Sequence, residues 1–183
     1  LDDIAKLAQF CRDRFIEPCP QWATGGHTDH WLLDVHPELR EKGWRNTADV
    51  TKPEHDLILF DCMQDMIDAM APKFLSPKGD EWWHRKMPGE TPEPLLNGKT
   101  RAQVYLDFYS KLNTFLRERD VKMVMFHDML NPHHNGKREG LELYKYVDVL
   151  PKDIILMEWS DRQPKFFLDK GFTVWAVQTG ANI

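Results

Sequence analysis

Apolar residues recur along this chain at two spacings, and the alternation between them sets out its elements. Ile4, Leu7, Ala8 and Cys11 fall on one helical face, which predicts a helix over residues 2–14. Phe15 to Trp22 reads as a short extended segment, and Pro18 and Pro20 suit a strand end rather than a sheet centre. Residues 23–50 form a long polar loop containing Gly25-Gly26-His27-Thr28-Asp29-His30, and long loops in compact domains often carry function. Thr51-Lys52-Pro53-Glu54 has a capping-box pattern and predicts a helix to about Met70 that buries Leu57, Phe60, Met63, Ile67 and Met70.

An extended piece from Lys73 ends at Asp80-Glu81, and the prolines and glycines of residues 84–100 read as another loop. Thr100 caps a predicted helix through Asp120, with Val104, Phe108, Leu112, Phe115 and Leu116 on one face. Val121–Phe126 is a strand with His127-Asp128 at its exit, followed by a polar loop holding His133-His134-Asn135-Gly136. Asp153–Met157 is the next strand, with exit residues Glu158-Trp159. A short helix over 163–170 stops at Gly171, and a last strand over 172–177 exits at Gln178.

Strands and helices therefore alternate, with about five strands, which indicates a parallel α/β architecture. No glycine-rich phosphate loop follows any strand, which argues against a nucleotide-binding doubly wound sheet. Polar and aromatic residues gather at the strand exits: Trp22 and His27, Asp80 and Glu81, His127 and Asp128, Glu158 and Trp159, Gln178. In a (β/α)8 TIM barrel that face builds the site, but such a barrel takes ~250 residues and this chain has 183. About five of the eight βα units are represented, as a single, partial barrel domain over residues 1–183.

Composition narrows the function classes. The formal charge of -5 makes a polyanion-binding surface no default expectation, and there is no basic run or nucleic-acid signature. No apolar segment approaches the ~20 residues that span a bilayer. Cys11, Cys19 and Cys62 form no close pair motif and read as buried thiols. The start at Leu1-Asp2-Asp3 reads as a trimmed, processed or internal one. Seven Trp, ten Phe and four Tyr are rich for this length; they fill a core or offer flat faces to sugars.

The sharpest chemical signal is Gly79-Asp80-Glu81-Trp82-Trp83. Adjacent carboxylates where a strand ends, beside two indoles, form an environment that raises a carboxyl pKa and favours a general acid. The competing reading is an acidic turn with two packing tryptophans.

With those motifs placed, the chain resembles glycoside hydrolase family 20, the β-N-acetylhexosaminidases. Ile16-Glu17-Pro18-Cys19-Pro20 and then Gly26-His27-Thr28 look like that family's Ile-Pro-Glu strand end and Pro-Gly-His. His36-Pro37-Glu38-Leu39 looks like its Tyr-Pro-Glu-Leu, and Lys73-Phe74 leading to Gly79-Asp80-Glu81 like its His-Ile-Gly-Gly-Asp-Glu. Met125-Phe126-His127-Asp128-Met129-Leu130 stands where the family has Gly-Trp-Asp-Glu-Ile-Leu. Leu150-Pro151-Lys152-Asp153 running into Trp159, and Lys170-Gly171-Phe172, complete an ordered series over nearly the whole chain. The series maps onto roughly the third to seventh barrel strands. Ser76-Pro77-Lys78 departs from the family's His-Ile-Gly.

The resemblance implies removal of β-linked N-acetylhexosamine from a carbohydrate substrate by substrate-assisted retaining hydrolysis. It implies Glu81 as general acid/base and Asp80 as the carboxylate orienting the 2-acetamido group, with no cofactor and a periplasmic or secreted setting. His27, Trp82, His127, Asp128, Glu158 and Trp159 are expected to bind substrate, Trp159 as a wall of the acetamido pocket. Two other readings compete. One is a degenerate barrel that binds glycans without cleaving them. The other is a metal-dependent hydrolase using His27, His30, Asp80, Glu81, His127 and Asp128. His133-His134 reads as a solvated loop rather than a metal site. The residues say nothing of oligomeric state.

Overall fold

A computed structural model describes residues 1–159 and 164–177. Gln178 lies outside the described residues. The elements in order are α1 (Asp2–Arg12), α2 (Pro53–Met70), β1 (Phe74–Leu75), α3 (Arg101–Arg117), β2 (Lys122–Phe126), β3 (Ile155–Glu158), α4 (Lys165–Leu168) and β4 (Thr173–Ala176). The strands form one parallel sheet in the order β1-β2-β3-β4. Its register pairs Leu75 with Met123, Met125 with Leu156, and Leu156 with Val174. Sequential parallel neighbours joined by helices are the pattern of barrel units, but among the described residues the sheet stays open.

Local chemistry explains why the elements begin and end where they do. At α3, Thr100 and Gln103 satisfy each other's orphan groups: Gln103 N donates to Thr100 Oγ1 at 3.3 Å and Thr100 N to Gln103 Oε1 at 2.9 Å. At the other end of α2, Ala71 takes the left-handed conformation, and Arg12 of α1 donates to the exposed carbonyls of Met70 and Ala71 at 2.5 and 2.9 Å. β2 and β3 are buried almost throughout because the sheet is covered on both faces. β4 is largely exposed, as an uncovered edge must be.

Several expectations are corrected. The extended segment over 15–22 contracts to one parallel bridge, Gln21 with Ser76, plus hydrogen bonds from Trp22 N to Ser76 O and from Ser76 N to Pro20 O at 2.8 and 2.9 Å. Pro18 and Pro20 have no N–H to extend the ladder, and Phe15 is fully exposed with φ 59. The box expected at Thr51 does not form: its hydroxyl donates to Asp49 Oδ1 at 2.6 Å, and Lys52 is the N-cap. On α2 the expected Met63 and Met70 are buried, and Phe60 and Ile67 pack partly buried against the core. Leu57 is 67% exposed, and His55, Leu59, Met63 and Met70 are the buried positions. On α1, Leu7 is likewise 59% exposed and Ala8 is buried. Nor are the cysteines buried: Cys19 is exposed, and Cys11 and Cys62 are half-buried.

The core joins the helices to the sheet through an aromatic group, Trp82, Trp83, Tyr105, Phe108 and Tyr109. Trp82 is its hub, with ring centroids of Trp83, Tyr105, Phe108 and Tyr109 at 5.1 to 5.8 Å. That group lies directly beneath the segment carrying Asp80 and Glu81.

Candidate functional site

The segment from Ser76 to Trp83, beyond β1, follows an unusual backbone path. Lys78, Gly79, Glu81 and Trp83 all have positive φ, at 60°, 99°, 49° and 54°. For the three with side chains, each left-handed residue costs roughly 1–2 kcal/mol. Such strain persists only where surroundings enforce it, and it concentrates at functional sites.

The surroundings enforce it group by group. Thr24 Oγ1 donates to Pro77 O at 3.0 Å, and Phe126 N donates to Lys78 O at 2.8 Å. Tyr105 OH donates to Gly79 O at 2.9 Å. Glu81 N donates to Asp128 Oδ2 at 3.1 Å, and Trp83 N to Thr47 Oγ1 at 3.2 Å. Arg138 Nη1 donates to the carbonyls of Trp82 and Trp83 at 2.9 and 3.2 Å. Gly79 is required twice over: its φ is left-handed, and a Cβ there would stand 3.1 Å from Met125 and 3.2 Å from the Tyr109 hydroxyl.

The glycine pair upstream brings in the histidine. A Cβ on Gly25 would lie 1.6 Å from the Trp82 ring, and one on Gly26 would lie 2.8 Å from Asp80 O. Without side chains, the loop lies flush on Trp82. His27 then reaches the acids, with Nε2 at 3.2 Å from Glu81 Oε2 and 3.7 Å from Asp80 Oδ2. Lys78 Nζ stands 3.8 Å from the same Asp80 oxygen.

Burial raises the Asp80 pKa above its ordinary value, against the opposing pull of Lys78 and His27, and the Glu81 charge adds to the rise. Asp80 Oδ1 is buried with no hydrogen-bond partner among the described residues. Asp128 is fully buried, and burial raises its pKa too. The amide of Asn135, at 2.7 Å, and the Glu81 N–H oppose that rise by bonding to its Oδ2. The arrangement holds two carboxylates in contact with one imidazole, on a backbone that leaves little freedom. Glu81 and His27 stand within hydrogen-bond reach, while Asp80 offers an unengaged oxygen to a donor.

The remaining expected residues divide. Asp128 is at the site but acts on the Glu81 backbone. Trp159 stands at the exit of β3, with its ring 5.7 Å from His134 and 6.4 Å from Phe126. Glu158 is buried at the end of β3. Trp82 and His127 are not open to a ligand. Trp82 is 1% exposed and donates from Nε1 to Tyr109 OH at 3.1 Å. His127 is 0% exposed, with its ring 5.1 Å from Phe167. Trp83 is also core; its Nε1 donates to Glu41 Oε2 at 2.7 Å. The two indoles thus support the acidic pair from below instead of offering it a sugar platform.

Among the described residues no three His, Cys, Asp or Glu side chains converge as ligands, and His30 is 89% exposed beside Asp29 at 3.7 Å. No described helix is long and apolar enough to cross a membrane.

Sequence reading missed Arg138, Tyr105, Tyr109 and Thr24. The two tyrosines carried one signal: they sit four apart on α3 with polar tips, among mostly apolar inward positions. Arg138 carried none, because a polar loop does not reveal which of its cations turns inward.

No protein-family model matches the chain, and no curated protein matches it by sequence. Solved structures do match it in fold. A β-N-acetylhexosaminidase from Bacteroides fragilis superposes with TM-score 0.67 at 16% identity, over 93% of this chain and 33% of its own. A family 20 β-N-acetylhexosaminidase from Streptomyces coelicolor gives 0.64 at 15%, over 95% and 33%. The family 20 exo-β-N-acetylglucosaminidase of Vibrio harveyi, in complex with N-acetylglucosamine, gives 0.64 at 14%, over 94% and 27%. The chain therefore spans about a third or less of these three structures. In fold it is similar to part of a glycoside hydrolase family 20 β-N-acetylhexosaminidase.

Proposed function

We propose that this chain carries the acid-bearing part of a glycoside hydrolase that removes β-linked N-acetylhexosamine, with residues 1–183 as one partial barrel domain and the strands as its third to seventh. Glu81 protonates the glycosidic oxygen as the C1–O bond breaks. The substrate's own acetamido oxygen attacks C1 from the other face, giving a cyclic oxazolinium-like intermediate. Asp80 accepts the acetamido N–H and stabilises the charge developing there. Water then attacks C1, losing its proton to Glu81, which restores the acid.

The observation that carries this reading is the meeting of Asp80, Glu81 and His27 at the strand exits, on an enforced left-handed backbone, in a fold similar to part of that family. Lys78 and His27 beside Asp80 favour the ionised form that its role needs.

One observation favours a second reading, a barrel that binds glycans without cleaving them. Lys78 stands where the resembling family has glycine, and its ammonium already engages Asp80. Hydrolysis of aryl β-N-acetylglucosaminides and β-N-acetylgalactosaminides separates the two, with Glu81→Gln as control. The glycosidase reading expects turnover by the natural protein and none above background in the variant. Sugar binding by both with turnover by neither would establish the second reading.

A further inference from the structure

The rim of the candidate site carries charge opposite to that of the chain. After Glu81 and the two buried indoles come His84, Arg85 and Lys86, all exposed. Arg138 turns a second loop onto this one: it donates to the carbonyls of Trp82 and Trp83, and its Nη2 lies 3.4 Å from His84 Nδ1. Lys137, beside it, is exposed. Among the described residues Arg85, Lys86 and Lys137 form no ion pair within 4.0 Å; three carboxylates of the neighbouring segments are taken, and Glu139, two residues from Lys137, is exposed. Glu90 is held by Arg40 at 2.7 Å, Glu93 by Lys42 at 3.3 Å, and Glu41 by Arg101 at 2.6 Å.

The backbone aggravates the imbalance. Trp44 and Lys86 form an antiparallel bridge, Arg45 N donates to Arg85 O at 2.8 Å, and Met87 N donates to Gly43 O at 2.9 Å. Arg45 and Arg85 are therefore cross-strand partners, and like charges directly opposite one another destabilise a ladder. Arg45 lines a cleft together with Asp29 and Asp34. Arg85 and Lys86 have no such neighbour. A chain of net charge -5 thus places Arg85 and Lys86 within five residues of its candidate acid, a backbone distance of at most about 18 Å. Such a field selects and steers anions.

We propose that His84, Arg85, Lys86 and Lys137 form a subsite for an acidic glycan, one whose sugars beyond the bond at Glu81 bear sulfate or carboxylate groups. The inference takes its location from the glycosidase reading, but not its binding chemistry.

Titration calorimetry tests it with three tetrasaccharides: chitotetraose (neutral), 6-O-sulfated chitotetraose (sulfate) and a hyaluronan tetrasaccharide (carboxylate). The natural protein binds one or both acidic ligands more tightly than chitotetraose, and about 0.5 M salt removes the difference. Which acidic ligand gains identifies the anionic group. Arg85→Gln and Lys86→Gln each weaken acidic binding up to roughly fivefold, the upper range for exposed ion pairs. Both leave chitotetraose binding and aryl-glycoside turnover unchanged, and neither lowers the melting temperature. Equal binding of all three ligands, or variants that bind acidic ligands like the natural protein, overturns the proposal. If aryl glycosides are cleaved without an acidic preference, the strip alone fails. If none is cleaved while acidic ligands bind in a variant-sensitive way, the glycosidase reading fails and the strip stands.

Discussion

The backbone N–H of Glu81 donates to Oδ2 of Asp128, at 3.1 Å, across the exits of two neighbouring strands. Asp128 is fully buried, and Asn135 holds the same oxygen at 2.7 Å. The bond anchors a left-handed residue that would otherwise relax, so it fixes where the Glu81 carboxyl points. Asp128→Ala leaves that N–H without its acceptor at a cost of about 1–3 kcal/mol. We expect turnover to fall much further than the melting temperature implies. Asp128→Asn retains an acceptor and should keep most of the activity. Equal losses in the two variants would show that the charge, not the anchoring bond, matters.

The contact of Gly25 with Trp82 is a steric statement with a steric test. A methyl group on Gly25 meets the indole at 1.6 Å, and the ring is fixed by its bond to Tyr109. Gly25→Ala should be strongly destabilising while still allowing a measurable unfolding transition. Trp82→Ala alone should cost about 3–5 kcal/mol, as large aromatic truncations do. The double substitution should be more stable than the sum of the two losses predicts, measured by chemical denaturation; additive losses would deny the contact.

Glu41 lies almost fully buried, accepting from Trp83 Nε1 and from Arg101 at 2.6 and 2.9 Å. Burial raises its pKa, with Arg101 pulling the other way. Arg101→Met strands this carboxylate and should cost about 3–5 kcal/mol. Adding Glu41→Gln should recover much of that loss. If it recovers none, Arg101 acts through packing.

Asp80 links the site to stability through pH. Its folded pKa is raised by burial above the ordinary 3.8, so its favourable contribution is complete below 3.8 and lost as pH rises through the folded value. Glu90 behaves oppositely: Arg40 and the Gly43 N–H lower it to about 2, so its contribution appears as pH rises and is lost as pH falls toward 2. Asp80→Asn should therefore raise the melting temperature at pH 7, with the gain vanishing near pH 3.8. It should also lower turnover by roughly 10²–10³-fold, the scale for losing one positioned electrostatic contact. A variant less stable at pH 7 than at pH 4, relative to the natural protein, would contradict the burial account.

Much of the fold was legible because its signals are local. α3 announced itself through Thr100, Gln103 and an apolar stripe, all within the helix. β2 showed itself in the apolar run Met123–Phe126. On α2 only Leu57 was misplaced; an inward position nearby is His55, whose Nε2 meets Thr24 O at 2.8 Å, and hydrophobic periodicity does not count a buried histidine. At the site, Asp80, Glu81 and His27 were legible as a motif. The roles of Trp82 and Asp128 were not. The first depends on two glycines in a distant loop, and the second on a strand that pairs only in the folded chain. Lys78 was visible as a departure from the family pattern, but its reach to Asp80 was not.

The most direct test of the central claim compares leaving groups. Turnover of aryl β-N-acetylglucosaminides by the natural protein and by Glu81→Gln should diverge most where the departing oxygen needs a proton. With a phenyl leaving group the variant should lose about 10²–10⁴-fold, the range for general acid catalysis, and with 2,4-dinitrophenyl the loss should be far smaller. A loss of the same size for both leaving groups, or none for either, would show that Glu81 does not protonate the glycosidic oxygen.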